Sequence, residues 1–375
     1  MRVLILNHEY PPVGGGGGQA AQDIARELNR RGHEITILTA HLKDLPRDEM
    51  VDNIRILRLR SLRKHPYQAG FLAMGFYILA AIRAGLHLIH RWHPDIIHVH
   101  FAVPAGAAAC VLSRLTGIPY VLTAHLGDIP GGVPEKTGRW FRWVFPFTIP
   151  IWHGAARIAT VSNYTCSLIR RHYAVNPVVI PNGINMEMLN PERLPVHRPP
   201  VVIFAGRFMP QKNLVELVET LALVQDLPWK CIMLGDGPLL DEVKRTINTR
   251  GLDRRFSLPG WVTTDEVIGY LAQSDLLFMP SLSEGLSVVG LQALAMGLAI
   301  VASRAGGNVD LVEPGYNGFL ADPDDREALS NALRSLLSNR NALQNARRAS
   351  RALAPRFNIR TVVDRYETLF QEIAS

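Results

Sequence analysis

Short apolar runs recur along the chain without strict alternation: VLIL in residues 3–6, ITIL in 35–38, IIHVH after Pro94 and Asp95, and YVL in 120–122. Unbroken runs of Val, Ile and Leu are what strands show when both faces of a parallel sheet are covered. Between them, residues 19–31 place Ile24 and Leu28 one helical turn apart, and residues 105–115 also read as a helix. The second half repeats the plan. VVIFAGR is a strand over 201–207, a helix follows over about 213–224, and CIMLGDG ends in a tight turn at Gly235, Asp236, Gly237 and Pro238. LLFMPS and AIVAS supply further strands, and a last helix over 361–373 follows a break at Pro355. The proline-rich ERLPVHRPP, residues 192–200, marks the boundary. The pattern predicts an α/β chain of two facing, Rossmann-like, doubly wound parallel-sheet domains, 1–195 and 196–355, with a helix in 356–375 crossing back to the first. The ligand crevice of such folds lies at the carboxyl ends of the strands.

Composition narrows the class. At 375 residues the chain exceeds one ordinary core, and 47% hydrophobic with 19% charged residues fits a well-packed protein. A net charge of +7 favours anionic partners: a nucleotide diphosphate, an anionic acceptor or an anionic membrane, which sign alone does not separate. No long basic run points to nucleic acid. Cys110, Cys166 and Cys231 show neither metal spacing nor a disulfide framework, which reads as a reducing cytoplasm. Residues 66–82 carry no charge, but glycines, Arg83 and His87 interrupt the stretch, so a buried helix is expected rather than a membrane-contacting one. RWFRWVFPFTIPIW, residues 139–152, holds three of the six tryptophans. As a helix it sets Trp140, Phe141, Val144 and Phe145 beside Arg139 and Arg142, a face suited either to core packing or to a lipid surface on the inner side of a membrane.

Four places carry candidate chemistry. The five glycines at 14–18 satisfy G-x-G-x-x-A through Gly15, Gly17 and Ala20. The next strand ends Leu38-Thr39-Ala40-His41 without the acid that a dinucleotide ribose requires, and no Walker lysine follows. Close backbone approach to a bulky ligand explains these glycines better than a turn does. Arg207 and Lys212, at a strand end and the next helix start, could clamp two phosphates. Glu284 precedes Gly285 and a helix start, where a carboxylate accepts from sugar hydroxyls and backbone amides favour phosphate. His125 closes the strand YVLTA before Gly127, as a crevice residue or a core histidine. His8, His98 and His100 also lie at or near strand ends, with no defensible metal spacing.

Taken in order, the glycine loop, PDIIHVH, TAHLGD, VSNYT, VIPNGIN, AGRFMPQKN, GDGP, LPGWV, SDLLFMPSLSEGLSVVGLQALAMG and RYETLF resemble the retaining glycosyltransferases of family 4, over almost the whole chain. That resemblance implies a GT-B fold with a deep interdomain cleft, a UDP- or GDP-sugar as donor substrate, and no metal or other cofactor. It implies that Arg207 and Lys212 hold the donor pyrophosphate, with Glu284 near the transferred sugar. Amides of Gly285, Leu286, Ser287 and Val288 meet sugar hydroxyls and phosphate. His125 reaches the donor sugar, and Asp128 stands towards a sugar or lipid-linked acceptor. Gly15, Gly16 and Gly17 make room for diphosphate or acceptor. Gly235 joins the donor-binding set, and backbone around Trp261 and Val262 meets the base. The family's E-x7-E ends here in Gln292. An amide replaces a carboxylate at the ribose diol, an expected loss of about 1 kcal/mol and a KM rise of about fivefold to tenfold. A GT-B epimerase or a non-catalytic nucleotide-sugar binder remain alternatives.

Overall fold

The computed structural model describes residues 1–375 except 66–68, 128, 134–136, 139–140, 190, 192 and 375. The chain divides into two units, Met1–Gly183 with Ile359–Ser375, and Ile184–Asn358. The division therefore falls ahead of the proline-rich segment, and an isolated bridge pairs Ile184 with Asn358 at the two ends of the second unit.

The first unit is an eight-stranded sheet: β1 (Arg2–Leu6), β2 (Glu34–Ala40), β3 (Asp48–Val51), β4 (Ile54–Leu59), β5 (Ile96–His100), β6 (Tyr120–Ala124), β7 (Arg157–Thr160) and β8 (Val178–Val179). Their order is β3-β4-β2-β1-β5-β6-β7-β8. All neighbours are parallel except β3 and β4, an antiparallel hairpin whose tip, Asp52 and Asn53, takes positive φ at both residues. That conformation suits a two-residue turn matched to strand twist. Period-two alternation then sorts side chains to opposite faces. Leu4 and Leu6 join a core with α2 (Phe71–Trp92), α3 (Ala107–Thr116), α4 (Phe141–His153) and α5 (Asn163–Tyr173). Val3 and Ile5 join the opposite core with α1 (Gly16–Arg30) and, further along the chain, the last helix. Helix α1 begins at Gly16, three residues earlier than spacing alone indicates, so the glycines form its first turn.

The second unit is a six-stranded parallel sheet: β9 (Val201–Ala205), β10 (Lys230–Leu234), β11 (Phe256–Gly260), β12 (Leu276–Met279), β13 (Ala299–Ser303) and β14 (Gly318–Ala321). The order is β11-β10-β9-β12-β13-β14. Its helices are α6 (Leu214–Ala222), α7 (Leu240–Thr249), α8 (Thr264–Ala272), α9 (Val288–Ala295), α10 (Arg326–Leu337) and α11 (Arg340–Leu353). Buried Asp275, just before β12, accepts from Val201 N and His197 N and pairs with the buried Arg347, joining β9, β12 and α11. After α11 the chain enters α12 (Ile359–Ala374), which returns Val362, Val363, Tyr366 and Phe370 to the first unit's core.

Candidate active site

In the second unit, every singled-out residue except Lys212, Val288 and Gln292 follows the carboxyl end of a parallel strand or lies in the loop beyond it. Arg207 follows β9, Gly235 follows β10, Trp261 and Val262 follow β11, and Glu284 lies beyond β12. Lys212 closes a 3-10 turn, Pro210–Lys212, that leads into α6, with its amide donating to Met209 O at 2.9 Å. Lys212 Nζ lies 2.5 Å from Glu284 Oε1, and Ser281 Oγ donates to the same oxygen at 2.8 Å. Leu282 N donates to Gln211 O at 2.8 Å, so backbone as well as charge ties the two loops. Both charged side chains are largely buried, which strengthens their attraction.

Glycines decide how closely the neighbouring loops approach. A Cβ on Gly306 would lie 1.8 Å from Glu284 O, and one on Gly307 would lie 1.8 Å from Gly285 O. Gly307 N donates to Glu284 O at 2.9 Å. The loop after β13 is thereby pressed onto the Glu284 backbone, and Asn308 Nδ2, donating to Ser303 O at 3.2 Å, braces it from behind. Gly235 has a similar packing reason, since its Cβ would meet Gly206 O at 1.9 Å. Ser287 caps α9, its Oγ accepting from Gly290 N at 3.2 Å. Gly285, Leu286, Ser287 and Val288 then lead from Glu284 into α9, and Gln292 is buried on that helix. Trp261, just past the edge strand β11, is exposed, with β10 and β9 lying between that strand and β12.

The first unit gathers a second set. His125 follows β6, and its Nε2 lies 3.0 Å from His100 Nδ1 with the rings stacked. Phe101 packs on His125 at 4.8 Å between ring centres. A Cβ on Gly17 would meet Phe101 Cζ at 2.4 Å and His125 Cγ at 3.4 Å, so Gly17 lets α1 start against this pair. No side chain caps α1 at Gly15. Burial pushes the His125 imidazole down to about 4, with the Glu9 carboxylate pulling weakly the other way. Burial also lowers His98 to about 3 and carries His100 well below the ordinary range. His98 Nε2 meets Thr123 Oγ1 at 2.9 Å, which meets Tyr366 OH at 3.1 Å, so α12 supports the array. Among the described residues no cluster of His, Cys, Asp or Glu could hold a metal ion.

The structure thus places Arg207, Lys212 and Glu284 at one end of the second sheet, and Gly17 and His125 together in the first unit. Asp128 lies outside the described residues. Sequence reasoning missed Ser281 as the second partner of Glu284, Phe101 and His100 as the setting of His125, and Glu9. The available signal was position, since Glu9, His100 and Phe101 sit at or just past strand ends.

The family model described as Glycosyl transferases group 1 matches residues 187–353, and that of Glycosyltransferase Family 4 matches residues 14–188. The glycosyltransferase TuaC of Bacillus subtilis, provisionally named for teichuronic acid biosynthesis, is 30% identical over 361 residues, covering 89% of this chain and 88% of that one. Among solved structures, sucrose-phosphate synthase from Thermosynechococcus elongatus aligns with a TM-score of 0.86 at 19% identity, over 100% of this chain and 99% of that one. Anabaena Alr3699/HepE, solved with UDP and glucose, aligns with a TM-score of 0.79 at 20% identity, over 99% and 100% of the two chains.

Proposed function

This chain belongs to glycosyltransferase family 4, the glycosyl transferases group 1, and on that premise we propose that it moves a hexose from a nucleotide diphosphate sugar to a hydroxyl acceptor with retention of configuration. The observation that carries this reading is the buried Lys212–Glu284 pair at the carboxyl ends of β9 and β12, with Arg207 on the adjoining loop. A cation pair suits a diphosphate, and a carboxylate beside it suits sugar hydroxyls.

In the proposed front-face reaction the bond from the anomeric carbon to the diphosphate oxygen breaks. The acceptor oxygen bonds to the same face of that carbon, and its proton passes to the departing diphosphate. Arg207, Lys212 and the leading amides of α9 stabilise charge on the leaving group, so the protein contributes electrostatics and positioning without metal. His125, held neutral by burial, serves as a hydrogen-bonding group for the sugar, and the acceptor role of Asp128 rests on the family resemblance of its sequence segment alone. Gln292 gives the ribose a neutral amide partner. UDP-sugars are the first donors to test, because UDP is what the Anabaena relative holds. The acceptor we propose is a glycan, glycolipid or lipid-linked sugar met in the cytoplasm; a role in polysaccharide synthesis draws support from the teichuronic acid biosynthesis in the Bacillus relative's name.

The test offers UDP-, GDP- and ADP-sugars with and without acceptor, in the presence of EDTA, and follows nucleotide release and the anomeric proton of the product. Arg207→Ala and Lys212→Ala each lower turnover about 100-fold or more. Unchanged turnover in both variants, an inverted product, or an epimer formed without acceptor overturns the reading.

A further inference from the structure

We propose that α2, α3 and α4 of the first unit form a docking surface for an anionic lipid bilayer. Helix α2 is long and apolar enough to cross a membrane by length and composition, with a mean hydropathy of 1.7 over its most apolar window. It does not behave as a span. Its inner residues Ala73, Tyr77, Ala81, Gly85, Leu88 and Ile89 are buried in the unit. Tyr77 OH donates to Leu38 O at 2.9 Å, and Gly85 sits against Leu112 of α3. The outward stripe runs Leu72, Phe76, Leu79, Arg83, His87 and His90, all exposed and spaced at helical intervals. This corrects the expectation of a buried helix, because only one side of α2 is covered.

The neighbouring helices continue the pattern. Leu115 on α3 and Trp143, Phe147 and Ile149 on α4 are exposed, Trp143 to 83% and Phe147 to 78%. Phe141 turns inward and Val144 and Phe145 are half-buried, so packing uses one side of α4 and leaves an aromatic side outward.

Charge selects the occupant. Helices α2, α3 and α4 contain no Asp or Glu, and expose Arg83, Arg91, Arg114 and Arg142. Residues 53–183 carry 14 Lys and Arg against three Asp and Glu, while the rest of the chain carries 26 against 30. A second copy meeting this face with its own would set cations against cations. A bilayer with anionic headgroups accepts the arginines at its surface and the aromatic and aliphatic side chains just beneath. The inference concerns a face of the first unit and stands apart from the donor chemistry proposed above.

The test is co-sedimentation of the full chain with vesicles of phosphatidylcholine alone and of phosphatidylcholine mixed with phosphatidylglycerol. Partitioning onto the mixed vesicles is expected to exceed the neutral ones about tenfold or more, and to weaken with salt. Leu72→Ser with Phe76→Ser, and Trp143→Ser with Phe147→Ser, each reduce it about tenfold or more. Arg83→Glu with Arg142→Glu removes the preference for anionic vesicles. Circular dichroism and the thermal midpoint confirm that these variants fold. Brominated lipids quench the fluorescence of the wild type more than that of Trp143→Phe. No binding, equal binding by all variants, equal quenching, or a dimer lost in the same variants without vesicle binding overturns the proposal.

Discussion

With Lys212 Nζ at 2.5 Å from Glu284 Oε1 and little water around either group, each charge depends on the other. Lys212→Ala therefore strands a buried carboxylate that keeps the Ser281 hydroxyl but loses its ammonium partner, at an expected cost of about 3 kcal/mol in chemical denaturation. Adding Glu284→Gln recovers most of that stability but leaves turnover about 100-fold down, since the cation proposed to stabilise the leaving group is still missing. Recovery of turnover in the double variant would leave Lys212 with a structural role alone. His125 makes a second prediction at this scale. Its folded value of about 4 lies below the ordinary 6.5 for histidine, so the unfolded chain takes up the proton first. The stabilising contribution is complete above pH 6.5 and is lost as pH falls through 6.5 towards 4, about 2 kcal/mol by pH 5. Asp23, raised to about 7 by burial, titrates with the opposite sign. The comparison is therefore between wild type and His125→Gln, which share Asp23. The pH 7.5 to pH 5 loss should be about 2 kcal/mol smaller in His125→Gln, and equal losses would contradict the assignment.

Among the elements, the loop after β13 makes the sharpest test, because backbone leaves no room beside it. Gly307→Ala sets a methyl group against Gly285 O and is expected to cost at least about 2 kcal/mol and to weaken donor binding by moving the Glu284 segment. Gly269→Ala, exposed on α8 with nothing within 4 Å of the added methyl group, should stabilise by about 0.5–1 kcal/mol. Equal thermal midpoints for the two variants would remove the crowding argument. Strands such as β9, β12 and β13 were legible from VVIFA, LLFM and AIVAS, because burial on both faces leaves an unbroken apolar run. The β3–β4 hairpin was not: its strands carry Asp48, Glu49, Arg55 and Arg58 on a sheet margin, where the apolar signal is diluted. Helix α1 was read short because glycines are poor helix formers. Contact with Phe101 and Glu9 requires Gly17 and Gly18 there regardless of propensity. Spacing likewise showed that α2 and α4 are apolar, but not which of their sides tertiary contacts would cover. The Ser281 and His100 contacts needed strand order, which no local pattern contains.

At the scale of the whole molecule, the second unit is one continuous stretch of chain and the first is not. The opposite face of the first sheet is sealed by α12 as well as α1, with Tyr366 and Phe370 fully buried and both packed on His98. A chain stopped after Asn358 should lose protease protection over residues 1–183 while residues 184–358 stay resistant, which limited proteolysis with mass mapping would read. Equal resistance of both regions would show that α12 is dispensable. The same connectivity sets a timetable for synthesis. A ribosome translates residues 359–374 only after the entire second unit, so the earliest part of the nascent chain waits with an apolar face bare while its successor closes. The part made first is finished last, and a late frameshift that spares every residue of the loops around Lys212 and Glu284 still leaves the histidine array without its support.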